Sequence, residues 1–182
     1  MVNFIGLIYN ETKLKTELIQ EVDLGAFTHK VDDGLPLRKS AYELIDTLLD
    51  NIPDKVEPNA LAENLIQGLE DMSDEVQMIC HQVLSKLSDW AGGAVLGALD
   101  QIVDSLQKAV NKQIKLLNNR QEVEKASSML RSVIRAIDRI SRISDVDTNI
   151  KFHEFMESIG ANEHVKPMLE HLAQQRESIF HH

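Results

Sequence analysis

Two neighbouring residues, Cys80 and His81, are of the types that form a nucleophile and its base. Adjacent positions on a helix point about 100° apart, so the two side chains are expected to diverge. The sequence also contains no glycine-rich phosphate loop and no GxSxG motif. These residues therefore predict no catalytic site, and we interpret Cys80 as a small core residue.

The acidic and histidine residues that could bind a metal ion do not have the spacing of a metal site. The acids lack the ligand spacing and the glycine of a calcium loop, and they stand where helix N-termini favour negative charge. The histidines lack the paired spacing of zinc ligands. We therefore interpret the acids as capping residues, with Ser73 as a helix cap, and expect no metal or other cofactor. The two sets are Glu70, Asp71, Asp74 and Glu75, and His153, His164 and His171.

A row of arginines could bind an acidic surface. The row consists of Arg131, Arg135, Arg139 and Arg142. Spacings of four, four and three residues put these side chains on one face of a helix. Residues 103–142 contain nine Lys or Arg and four Asp or Glu, a net charge of +5 within a chain of net charge −10. A solvated face is the ordinary interpretation of such a row, and contact with an acidic partner or a neighbouring repeat is the alternative.

Residues 20–31, QEVDLGAFTHKV, predict a β-hairpin in a chain whose apolar residues otherwise recur at helical spacing. A two-residue turn at Gly25-Ala26 suits type II′, which favours glycine at its first position. This turn pairs Leu24 with Phe27, Asp23 with Thr28, Val22 with His29, and Glu21 with Lys30. Because strand side chains alternate, one face is expected to carry Val22, Leu24, Phe27 and His29. An isolated hairpin is only marginally stable in water, so this one must pack against its own protein or against a partner.

The composition favours an all-α protein. The chain has 182 residues, of which 43% are hydrophobic and 4% aromatic, with eight Gly and four Pro. Sandwiches and barrels need many more turns. The single cysteine excludes an internal disulfide, and no apolar run approaches the roughly twenty residues that cross a bilayer. We therefore expect a soluble intracellular protein that contacts no membrane. Because the bulk of the chain is acidic, we expect no contact with nucleic acid either.

One set of apolar residues repeats after 39 positions. Leu37, Ala41, Leu44, Ile45 and Leu48 recur as Val76, Cys80, Val83, Leu84 and Leu87. The partner helices repeat at a shift of 37, with Leu61, Leu65, Ile66 and Leu69 becoming Ala98, Ile102, Val103 and Leu106. A weaker third copy has Ala126, Met129, Leu130 and Val133. Helix pairs that repeat every forty residues or so predict a HEAT or armadillo-like α-solenoid with one inserted hairpin.

This pattern predicts one solenoid over residues 1–182. It would consist of the end of a preceding repeat (1–19), the hairpin (20–31), two HEAT repeats (36–70 and 73–111), a long helix of a degenerate repeat (117–143) and short C-terminal helices (150–178). Gly92-Gly93 is expected to break the chain before a helix over residues 95–111.

The stretch Tyr9–Asp50 closely resembles a segment near the C-terminus of the cullin-associated, neddylation-dissociated exchange factors, also known as TATA-binding-protein-interacting proteins. The clearest matches are YNETK, EVDLGAFTHKVDDGL and LRKSAYELIDTLLD. After Asp50 the similarity is looser but colinear, and it covers nearly the whole chain. Members of this family are much longer HEAT-repeat proteins. The chain would be about the last sixth of one such protein. It is expected to bind its partner weakly by itself, because a solenoid that wraps around a partner gains affinity from contacts along its whole length.

The resemblance implies a non-catalytic binding module, cytoplasmic and nuclear, that regulates the assembly of cullin-RING ubiquitin ligases. In this family the solenoid wraps an unneddylated cullin with its RING subunit, and a hairpin occupies the adaptor site on the cullin N-terminal region, which allows substrate-receptor exchange. The matching hairpin residues here are Glu21, Val22, Asp23, Leu24, Gly25, Ala26, Phe27, Thr28, His29 and Lys30. Two alternatives stay open. The hairpin could pack on its own helices, or the chain could be a generic importin-like or phosphatase-scaffold-like HEAT fragment that binds another protein on its concave face.

Overall fold

The computed structural model describes residues 4–23, 25 and 27–179, which form an all-α, HEAT-like solenoid with one inserted hairpin. The hairpin strands are β1 (Ile19–Asp23) and β2 (Thr28–Asp32). The helices are α1 (Phe4–Glu11), α2 (Leu35–Asn51), α3 (Pro58–Leu69), α4 (Asp74–Gly97), α5 (Leu99–Leu116), α6 (Val123–Ile140), α7 (Ile150–Gly160) and α8 (Lys166–Ile179). Short 3₁₀ turns occur at Thr16–Leu18, Pro53–Lys55 and Val146–Thr148.

The helices stack in two layers, with the core between them. In one layer α2, α4, α6 and α8 follow one another, and in the other α3, α5 and α7 do so. The consecutive helices α3 and α4, and likewise α5 and α6, pack together across the layers. This is the arrangement that the repeated apolar stripes predict, because each helix pair buries its stripe against its neighbours. Within the described residues, no helix is long and apolar enough to cross a membrane.

The core is tightest where α2, α3 and α4 meet. A Cβ added at Gly68 would lie 2.3 Å from the Cys80 sulfur and 2.5 Å from the Tyr42 hydroxyl oxygen. Cys80 and Tyr42 are fully buried. Cys80 is therefore a core residue, as its equivalence to the buried Ala41 predicts.

The 39-residue repeat is buried unequally in its two copies. Ile45 and Leu84 are both buried, but Leu37 and Leu44 remain 48% and 38% exposed where Val76 and Val83 are buried. The physical reason is which helices cover each copy of the repeat. Helix α4 packs against the long helices α2 and α6, whereas α2 packs against α4 and the eight-residue helix α1.

The break expected at Gly92-Gly93 lies one residue earlier, at Ala91, whose φ of −139° and ψ of 56° are not helical. A helical segment then runs to Gly97 as the end of α4, so that the next helix begins at Leu99 rather than at residue 95. A Cβ at Gly92 would lie 2.8 Å from a methyl carbon of Ile143. The glycine thus allows close packing beside a bend. Helix α6 is also shorter than the predicted segment 117–143, because residues 117–122 form turns.

Candidate partner-binding site

The hairpin has the predicted register. Asp23 pairs with Thr28, Val22 with His29, and Glu21 with Lys30, and the ladder continues through Gln20 with Val31 and Ile19 with Asp32. Gly25 has a φ of +85°, which L-residues with side chains rarely adopt, and its backbone N–H donates to Asp23 Oδ1 at 2.8 Å. The predicted Leu24–Phe27 pair and the type II′ turn involve Leu24 and Ala26, which lie outside the described residues.

The apolar side chains near the hairpin tip face solvent. Phe27 is 67% exposed and Val22 is 40% exposed. The exposure of Phe27 does not fit the alternative in which the apolar face of the hairpin packs on adjacent helices, while Leu24, a further residue of that face, lies outside the described residues. On the hairpin surface, Lys30 Nζ lies 3.6 Å from Glu21 Oε1, which is the predicted cross-strand pair. The exposed Phe27 and Val22 make the hairpin a candidate interaction site.

The base of the hairpin is fixed to the solenoid by Arg38, on the first turns of α2. The Arg38 side chain is only 1% exposed. Its Nε and Nη2 donate to the two carboxylate oxygens of Asp71 at 2.6 and 3.0 Å, and Nη2 also donates to Asp32 Oδ2, at the end of β2, at 2.8 Å. The hydrogen bonds to Asp71, followed by those to Asp32, raise the pKa of Arg38 above its ordinary value. This cluster could not be predicted from the sequence, because its three charges stand 6 and 33 residues apart and have no local pattern.

Two of the acids interpreted as capping residues, Asp74 and Glu75, lie in the first turn of α4, where that interpretation puts them. The acids also form ion pairs between elements: Glu70 accepts from Lys108 at 2.8 Å, Asp74 contacts Lys125 at 2.8 Å, and Glu75 contacts Lys39 at 2.5 Å. Asp71 lies before the helix, and its Oδ1 accepts from the N–H of Ser73 at 2.8 Å. The side chain of Ser73 itself makes no cap hydrogen bond, contrary to expectation. Among the described residues, no group of three or more His, Cys, Asp or Glu side chains could hold one metal ion.

Cys80 and His81 face different neighbours, as the helical geometry predicts. Cys80 lies against Gly68 and Tyr42, while His81 Nδ1 lies 3.0 Å from Ser132 Oγ on α6. Burial raises the pKa of the Cys80 thiol well above its ordinary value and lowers the pKa of His81 to about 4. A protonated, buried thiol without a nearby base is a poor nucleophile.

Three of the four predicted arginines, Arg131, Arg135 and Arg139, lie on α6, and Arg142 lies in the turn that follows it; all four line a groove that α4 and α8 complete. Arg139 contacts Asp89 at 3.0 Å, and Arg142 contacts Asp138. Arg131 donates to the Ser127 hydroxyl at 2.9 Å. The structure thus separates two candidate surfaces: the hairpin near α2 and the arginine row on α6.

The sequence model of the TIP120 family, described as TATA-binding protein interacting (TIP20), matches residues 1–160. The chain belongs to the TIP120 family. The matched TIP120 segment includes the hairpin, the Arg38 cluster and the arginine row on α6.

Individual relatives in the TIP120 family carry a more specific name. Cullin-associated NEDD8-dissociated protein 1 of Arabidopsis thaliana is 44% identical over 153 residues, which cover 84% of this chain. The protein of the same name from Dictyostelium discoideum is 36% identical over 155 residues, 85% of the chain, and that from Drosophila melanogaster 34% over 172 residues, 94% of the chain. The matched segments span only 12%, 12% and 14% of the lengths of those proteins.

Proposed function

We propose that this chain is a non-catalytic protein-binding module whose hairpin contacts a cullin. The observation that carries the proposal is the exposed tip of the hairpin, where Val22 and Phe27 project from a base that Arg38 holds to the solenoid. A rigidly held element loses little conformational freedom on binding, so more of its contact energy appears as affinity. The name of the relatives, cullin-associated, supports a cullin as the partner.

The more specific form of the proposal is competition with a substrate-receptor adaptor. The hairpin would enter the adaptor site in the N-terminal region of an unneddylated cullin that carries its RING subunit. Binding there would exclude the adaptor and so regulate the assembly of cullin-RING ubiquitin ligases. Phe27 would be the anchor, with Val22 beside it, and Glu21 and Lys30 would hold the strands in register. Cytoplasmic and nuclear localisation stays a prediction.

The test is the affinity of this chain for an unmodified cullin–RING complex, measured by calorimetry with and without the Phe27→Ala substitution. Loss of a buried aromatic anchor is expected to weaken binding by about 2 kcal/mol, or about 30-fold. Phe4→Ala is the matched control, because Phe4 is also exposed, at 60%, but lies on α1 outside the hairpin. Purified adaptor should displace the chain from the cullin.

Two results would contradict the proposal. In the first, Phe27→Ala lowers the melting temperature of the chain but leaves its affinity for the cullin unchanged. In the second, removal of residues 21–31 has no effect on binding, which would favour a generic HEAT scaffold that binds its partner elsewhere.

A further inference from the structure

A groove runs between α4, α6 and α8, on a different part of the solenoid from the hairpin. Its volume is about 750 Å³. The groove wall that α6 forms between α4 and α8 carries Arg131, Arg135 and Arg139, with Arg142 in the turn that follows. Helix α4 contributes Met78, Ile79 and His81, and α8 contributes Leu172. The groove therefore combines a basic wall with apolar side chains from the flanking helices, which is the composition of a site for a peptide segment that carries negative charge.

The charges along this wall are not all compensated within the chain. Arg139 pairs with Asp89, while Arg142 and Arg176 both contact Asp138. Arg131 and Arg135, in contrast, make no ion pair with any described carboxylate, and both are exposed. Two uncompensated guanidinium groups thus stand one helical turn apart at the wall of the groove.

The groove is also lined by His81, which brings no charge to it. His81 is buried, its Nδ1 is paired with Ser132 Oγ, and its Nε2 has no hydrogen-bond partner among the described residues. Because burial keeps the imidazole neutral, a negatively charged segment would be bound by the arginines of the groove.

We propose that this groove binds an extended acidic segment of a partner protein, with carboxylates at alternate positions. Residues four apart on a helix are separated by about 6 Å along its axis, and residues two apart on an extended chain by nearly the same distance. A segment of the form acid-x-acid therefore places one carboxylate at Arg131 and the next at Arg135. Guanidinium groups bind carboxylates through paired, charge-assisted hydrogen bonds. Because side chains alternate along an extended chain, the intervening side chain would point away from the two arginines.

A protein segment suits the site better than a nucleic acid does. The chain as a whole carries a net charge of −10, so a polyanion that extended beyond the groove would meet a repulsive surface. A short segment with two carboxylates meets only the basic wall. This inference does not depend on the hairpin or on the identity of its partner.

The test uses a fluorescein-labelled decapeptide of alternating Glu and Ser, and a matched peptide in which every Glu is Gln. Fluorescence anisotropy of the whole chain is expected to show at least about tenfold tighter binding of the Glu peptide. The double substitution Arg131→Gln with Arg135→Gln should remove about tenfold or more of that affinity. Added salt should weaken binding, because exposed charges are screened.

The matched control is Lys115→Gln with Arg120→Gln, which removes two exposed positive charges that do not line the groove. This variant should change the affinity for the Glu peptide by less than about threefold, since it alters only the long-range electrostatic potential of the protein, which salt screens. Phe27→Ala should leave peptide binding unchanged, which keeps this test separate from that of the hairpin. Equal affinity for the two peptides, equal losses from the two double variants, or tighter binding of a single-stranded oligonucleotide would each overturn the proposal.

Discussion

Asp32 at the end of the hairpin accepts a hydrogen bond from Arg38 Nη2 at 2.8 Å, and this contact joins the hairpin to the solenoid. The same guanidinium is held from the other side by Asp71, just after α3. Arg38 therefore connects three separate parts of the chain through one buried charge. The cluster therefore holds the base of the hairpin, together with the backbone hydrogen bond from the Asp33 N–H to the Leu18 carbonyl.

Replacing Arg38 by Met should strongly destabilise the fold. The substitution keeps the apolar stem but leaves the carboxylates of Asp71 and Asp32 without their partner, and breaking a buried ion pair costs about 3–5 kcal/mol. Urea unfolding followed by circular dichroism measures this loss in the free energy of unfolding. Lys39→Met is the control, because Lys39 pairs with Glu75 at an exposed position and should change the free energy far less. Similar losses from both variants would show that Arg38 has no special role.

Replacing Asp32 by Ala should loosen the hairpin while the solenoid stays folded. Arg38 keeps its two bonds to Asp71, so the buried charge remains compensated. The hairpin loses one charge-assisted bond and the Asp32 bond to the Gly34 N–H, together about 1–2 kcal/mol of local stability. Hydrogen exchange should become about tenfold faster at the amides of β1 and β2, with α4 unchanged. Asp54→Ala, at an exposed position, should leave exchange in the hairpin unaltered.

Two glycine substitutions should have opposite effects. At Gly68, Ala would place a methyl group 2.3 Å from the Cys80 sulfur, and overpacking of this kind typically costs about 1–3 kcal/mol. At Gly93, which lies within α4 and has no atom within 4 Å of an added Cβ, Ala should stabilise the helix by up to about 1 kcal/mol. Thermal unfolding of the two variants measures both changes. Destabilisation by Gly93→Ala would indicate that its backbone conformation, rather than space, requires glycine.

The features that sequence could predict are those that depend on local spacing. The pairing of Val22 with His29 and of Glu21 with Lys30 follows from strand alternation around a turn, so it needs no knowledge of distant residues. The Arg38 cluster forms because the packing of α2 and α3 brings Arg38 close to Asp71. The periodicity of apolar residues does not predict which charged residues meet in this way. Gly92 illustrates a third case. Glycine is common both where a helix breaks and where another side chain packs closely on the backbone, and the sequence does not show that Ile143 approaches this residue.

Burial is a further quantity that the repeat pattern does not contain. Leu37 and Val76 occupy equivalent positions, yet one is about half exposed and the other is buried. The pattern specifies which side of a helix is apolar, whereas the neighbouring element decides whether that side is covered. For the same reason the arginine row was predicted to share one face of α6, but the groove beside it required the positions of α4 and α8.

The buried His81 should make the protein less stable as the pH falls from 7.5 to 5. Burial lowers the pKa of His81 to about 4 in the folded state, whereas the unfolded value is about 6.5. Between these two values the unfolded chain binds a proton that the folded chain does not, so the free energy of unfolding decreases as the pH falls through 6.5. From pH 7.5 to pH 5 the expected loss is about 2 kcal/mol. The carboxylates whose pKa is lowered by a cation, such as Glu70 beside Lys108, lose their contribution only below about pH 4.5 and do not act in this window.

Urea unfolding at a series of pH values, for the original chain and for His81→Gln, measures this effect. The variant is expected to be less stable at pH 7.5, because the contact with Ser132 is altered, but its stability should depend much less on pH between 7.5 and 5. His153→Gln is the control, since His153 is exposed and should leave the pH dependence as it is. If the free energy of unfolding of His81→Gln depended on pH as strongly as that of the original chain, another group would take up the proton, and His81 would not be held neutral by its burial between α4 and α6.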